Sequence, residues 1–187
     1  TTSSAASDVY KRQILNPIIR TFIYLTTLYS IGSVLFKVHF HKFFNEEINI
    51  YCKKIIRDSA LLGLIISILA FLSVAGNLGG EIQSIFEIDL IELSFETMQG
   101  KSYLLLIVGF SFLFFSYYFQ LIFMNAFNII GTVLILISFI VIGHSLSQGI
   151  YTQILLLIHL FCISYWLGSF LPLKYMCNIK NYENLYL

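Results

Sequence analysis

The chain has 187 residues, of which 58% are hydrophobic and 11% charged, whereas soluble domains carry about a quarter charged residues. This composition excludes a soluble globular domain, and it excludes disorder, because so apolar a chain has ample surface to bury. A net charge of +1 gives no global field for nucleic acid or acidic substrates, and the three cysteines Cys52, Cys162 and Cys177 are too few and odd in number for a disulfide scaffold.

An integral membrane protein remains, and the apolar runs place its spans. Residues 1–16 open with Thr1-Thr2-Ser3-Ser4-Ala5-Ala6-Ser7, which lacks the apolar core of a signal peptide, and are expected to form a flexible segment outside the fold. A first span is expected from Pro17 to Phe36, with Arg20 snorkelling to the interface. A basic loop with Lys37, Lys42, Lys53, Lys54 and Arg57 follows, and within it His39 and His41 read as part of a solvated collar. The second span runs from Ser59 to Gly80. Residues 81–95 pair acidic side chains with Ile82, Ile85, Phe86 and Leu93, an amphipathic pattern suited to lying on the membrane.

From Ser102 to Leu173 there is no Asp, Glu, Lys or Arg. At 1.5 Å per helical residue that stretch crosses a core of about 30 Å three times. Polar breaks at 124–128 and 144–149 divide it into helices near 103–123, 127–147 and 152–173. Continuous runs such as Leu61-Leu62-Gly63-Leu64-Ile65-Ile66 lack the alternation of a barrel strand. The expected fold is an all-α polytopic bundle of five transmembrane helices in one domain, residues 17–175, followed by a tail at 176–187.

Counting Lys and Arg by side gives the orientation. Lys37, Lys42, Lys53, Lys54, Arg57, Lys174 and Lys180 fall on one side and Lys11, Arg12, Arg20 and Lys101 on the other. Seven against four predicts the N-terminus outside and the C-terminus in the cytoplasm.

Ionisable or metal-binding side chains inside a bilayer are costly, and here they reduce to His144 and His159. The predicted helices carry them on adjacent antiparallel spans at similar depth below the outer face. Two imidazoles so placed suit copper, zinc, iron or nickel; alternatively they hydrogen-bond to neighbouring helices. Cys162 follows His159 by three residues and Trp166 by seven, so the three share a helical face. Cys162 reads as a soft metal ligand or as a small packing residue. Met98 and Glu96 near the outer ends of the later spans offer a thioether and a carboxylate to guide a cation. No phosphate loop, zinc-protease motif or intramembrane carboxylate is present, so no enzyme activity is expected.

Gly143-His144, a short loop, then His159 followed by Trp166-Leu167-Gly168 resembles the membrane domain of the bacterial copper resistance protein D family. Thr97-Met98-Gln99-Gly100-Lys101 before an apolar helix is similar to that family's Thr-x-aromatic-Gly-Arg segment, with Gln99 and Lys101 departing from it. The likeness covers about residues 95–173, and the five spans make this a shortened form. It implies a multi-pass bacterial inner-membrane protein that binds copper through His144 and His159 and passes it across the membrane; by their own chemistry Met98 or Cys162 would assist. It also implies a periplasmic copper-binding partner, and a complete pathway would require subunits to combine as a homo-oligomer. Two other readings stay open: a b-type haem held by the same histidines for electron transfer, and a non-catalytic assembly subunit whose histidines only hold helices together.

Overall fold

The computed structural model describes residues 2–81, 83–119, 121–142 and 149–179. Its elements are α1 (Thr2–Phe40), α2 (Glu46–Gly79), α3 (Ile88–Glu96), α4 (Met98–Ser116), α5 (Leu121–Val141), α6 (Ile150–Gly168) and α7 (Phe170–Asn178), with short 3-10 turns at His41–Phe43 and Gln83–Phe86. No strand occurs among the described residues. Among the described residues five helices are long and apolar enough to cross a bilayer: Ile14–Phe43, Glu46–Gly79, Met98–Ser116, Phe123–Val141 and Ile150–Asn178. The chain is an all-α, polytopic membrane bundle, as the hydropathy pattern predicts.

Local chemistry sets several helix ends. Asn45 caps α2 by accepting from the Ile48 amide at 2.9 Å, with Glu46 and Glu47 favourably placed in the first turn. Gly80, at φ 81°, closes the same helix in the left-handed conformation that glycine adopts without strain. Thr97 caps α4 by accepting from the Gly100 amide at 2.9 Å.

The first helix begins at Thr2 and runs through Pro17. Two boundaries differ from expectation. The basic loop after the first span is mostly helix: α1 reaches Phe40 and α2 begins at Glu46, so both extend past the apolar runs. The break expected at 124–128 lies inside α5, and the chain turns instead at Tyr117-Tyr118-Phe119. Asn128 is buried within the bundle at 5% exposure, so its amide does not mark a chain reversal. The tyrosine pair prefers the bilayer interface, and the Arg57 guanidinium sits 4.8 Å from the centre of the Tyr117 ring.

Packing is centred on α1, α2, α4 and α5. Ile31, Val34, Ile56, Ala60, Phe71, Leu106, Phe110 and Ile135 form the shared core. Small residues let the backbones approach, as membrane helix pairs require. The Phe110 ring covers Gly63, and Gly109 lies against Gly131. Interhelical hydroxyl bonds add to this: Ser30 donates to Ser59 at 2.9 Å, and Ser102 donates to the Ser138 carbonyl at 2.8 Å. The outward side chains of α2, among them Leu61, Leu62, Ile65 and Leu69, form a lipid-facing surface.

Spans α1, α4 and α6 run in one direction and α2 and α5 in the other. The C-terminal end of α2 and the N-terminal end of α4 meet the acidic segment with Glu81, Glu87, Asp89, Glu92 and Glu96, and Asn16 of α1 donates to Asn77 of α2 at this same, acidic end. The opposite, basic end carries Lys37, Lys42, Lys53, Lys54, Arg57 and Lys174. There α7 continues α6 through the helical Ser169 and packs against α2, with Tyr175 stacked on Tyr51 at 3.8 Å and Met176 buried with Phe36, Ile48 and Cys52.

Candidate functional site

The last span, α6, carries the described part of the predicted site. It has two faces. Leu160, Ser164 and Gly168 are buried, recurring every four residues, and they pack on α1. Ser164-x-x-x-Gly168 is a small-xxx-small spacing, and a Cβ at Gly32 would run into the Ser164 carbonyl and stand 2.5 Å from the Gly168 Cα. Ser33 donates to the Gly168 carbonyl at 3.5 Å. The glycine of Trp166-Leu167-Gly168 is therefore a helix-crossing residue.

The other face holds Leu155, His159, Cys162 and Trp166, all exposed. His159 comes nine residues after Ile150, so at 1.5 Å per residue it lies about 13 Å along the span, near the middle of a core about 30 Å thick. Neither His159 nor Cys162 has a hydrogen-bond partner among the described residues. Trp166 lies about 24 Å along the helix and is 73% exposed.

Of the predicted ligands, the structure thus brings His159 and Cys162 to one helical face. His144 and Gly143 lie outside the described residues. Met98 is the first residue of α4 and is 56% exposed at the acidic end; α4 and α6 do not form one of the packed helix pairs, so Met98 is not joined to His159. Glu96 is exposed nearby. Among the described residues no three His, Cys, Asp or Glu side chains gather closely enough to hold a metal ion.

The segment Thr97-Met98-Gln99-Gly100-Lys101 has a structural explanation. Thr97 both caps α4 and donates to the Ser94 carbonyl at 2.9 Å, and a Cβ at Gly100 would collide with that same carbonyl. This pair fixes the corner between the amphipathic α3 and the span that follows.

Several polar groups escaped sequence reasoning. Thr27, Ser67, Asn128, Thr132 and Ser164 each bury a side-chain oxygen with no hydrogen-bond partner. Their distribution along the chain carries no motif; only the packing shows them turned inward. At the basic end the Lys37 ammonium donates to the Met124 sulfur at 3.2 Å. His41 contacts the Val38 carbonyl at 2.9 Å, and the His39 ring meets Phe40 and Tyr165 edge-on.

Between α5 and α6 lies an apolar groove of about 320 Å³, lined by Val133, Leu136, Ile137, Leu157, Ile158 and Phe161. Comparison with known proteins found no matching family model, no matching curated protein and no matching solved structure.

Proposed function

We propose that this chain is a copper-handling protein of a bacterial inner membrane, without a catalytic step of its own. Its acidic end faces the periplasm and its basic end the cytoplasm, following the seven-to-four excess of Lys and Arg. Copper is the cargo, taken up through His144 and His159 and passed inward, with a periplasmic copper-binding protein as donor. The observation that supports this most is His159, an imidazole without a described partner near the middle of a span, three residues from a thiol that also faces outward. Imidazole and thiolate together suit copper, and a side chain this expensive to place in a bilayer calls for a function.

Copper analysis of the purified, lipid-reconstituted protein tests the reading. The wild-type chain retains copper after removal of free metal, and the double variant His144→Ala, His159→Ala loses it while keeping its helical circular dichroism. Full copper retention by the double variant overturns the proposal.

A further inference from the structure

Most of α6 outside its α1 contact is exposed, Ile154, Ile158 and Phe161 included. Within that surface Leu155, His159, Cys162 and Trp166 form one stripe, separated by four, three and four residues, the interval of a helix-packing seam. At 100° per residue this seam lies opposite the Leu160, Ser164 and Gly168 face that packs on α1. The span is also the least enclosed, with 17% of its most apolar window buried against 44% for the first two spans.

Exposure alone would mean only contact with lipid, as on α2, whose outward residues Leu61, Leu62, Ile65, Ile68 and Leu69 are all apolar. The α6 seam differs because its two central positions, His159 and Cys162, are polar. A neutral imidazole carries one donor and one acceptor, so it is complementary to a second copy of itself across a two-fold axis. A single polar residue at a seam position also fixes the register of such a pair.

We propose that α6 pairs in parallel with α6 of a second copy of this chain, and that the pair builds a metal site neither copy holds alone. Two His-x-x-Cys edges then face each other across the axis and present two imidazoles and two sulfurs. That set suits a soft monovalent cation, Cu(I). Its binding forms metal–nitrogen and metal–sulfur bonds and releases one thiol proton to water; one thiolate with one Cu(I) leaves no net charge in the bilayer. No oxidation or reduction is involved. The arrangement accounts for a two-residue ligand edge turned away from its own bundle. Its metal arm rests on the copper reading above, but it replaces a site within one chain by a site shared between two.

Cross-linking in liposomes at low protein-to-lipid ratio tests the pairing. With Cys177→Ser as background, a short bis-maleimide joins two copies through Cys162, severalfold more than through a control cysteine on the exposed face of α4 (Val108→Cys in Cys162→Ser, Cys177→Ser). Anaerobic Cu(I) titration then tests the site. A shared site takes about one ion per two chains, lost in Cys162→Ser and in His159→Ala and kept in His144→Ala. Equal cross-linking at 162 and 108 overturns the pairing. Copper bound at one ion per chain, kept in Cys162→Ser and lost in His144→Ala, overturns the shared site while sparing the copper reading. If wild-type protein binds no Cu(I), the copper reading and the shared site both fall, and cross-linking alone decides the pairing.

Discussion

The first span and the last handle polar side chains in opposite ways. On α1 the hydroxyls of Thr26, Thr27, Ser30 and Ser33 are buried, Ile14, Leu15, Ile18, Phe22, Tyr24 and Leu25 face out, and the outward Thr21 hydroxyl donates to the Pro17 carbonyl of its own helix. On α6 the buried face is Leu160, Ser164 and Gly168, while His159 and Cys162 are left on the outside. Hydrocarbon offers no hydrogen bonds, so α1 follows the ordinary logic of a helix in lipid. α6 follows it on one side only. The contrast separates polar residues turned into the bundle from polar residues turned away from it, and substitutions on the two sides should differ in kind.

The largest effect is expected in the core around α1. Phe110 is fully buried and its ring covers Gly63, so Phe110→Ala leaves a cavity in the contact between α2 and α4. Lipid is as apolar as the core, so the cavity part of the loss remains without the water-transfer part, about 2–3 kcal/mol. Thermal unfolding in detergent should show a clear fall in midpoint; an unchanged midpoint would mean that these two helices do not pack this way.

Next comes the seam between α1 and α6. A Cβ at Gly168 would stand 2.5 Å from the Gly32 Cα, and a backbone neighbour cannot rotate aside as a side chain would. Gly168→Val should cost about 1–3 kcal/mol by overpacking and loosen α6 from α1, seen as a lower thermal midpoint in detergent. Trp166→Ala, two residues away on the outer face, should leave that midpoint unchanged. Thr97→Ala removes the α4 cap and should cost about 1 kcal/mol, with Thr97→Ser restoring most of the stability.

Much of the architecture is legible in the sequence because hydropathy reports directly on what lipid tolerates. The uncharged run from Ser102 to Leu173 does contain three spans, and the amphipathic pattern of residues 81–95 corresponds to the turn Gln83–Phe86 and α3, with Phe86 and Ile88 exposed. Boundaries are less legible, since Asn128 signals a turn by composition but is turned into the bundle by packing, whereas Tyr117-Tyr118 carries no turn residue yet ends a span. For the site, spacing alone places His159, Cys162 and Trp166 on one face. It cannot say whether that face looks inward or outward, because α6 is apolar all round and only the Ser164 and Gly168 contact with α1 decides. Met98 shows the same limit: sequence puts it at the correct end of the bundle but not beside His159.

The smallest effect gives the sharpest version of the comparison, because one substitution can be made in both regions. Cys52 is fully buried against Phe36, Ile48 and Met176, and Cys162 is exposed on α6. Cys52→Ser puts a hydroxyl into a closed apolar cluster and should cost about 1–2 kcal/mol unless the new group finds an acceptor. Cys162→Ser should change the stability of the detergent-dispersed monomer by less than about 0.5 kcal/mol, as for a surface site. Maleimide labelling of the folded chain gives an independent readout: Cys162 and Cys177 react and Cys52 does not until the protein unfolds. If the two serine variants were equally destabilised and Cys162 resisted labelling, the outer face of α6 would be packed within its own chain, and the distinction between the two spans would fail.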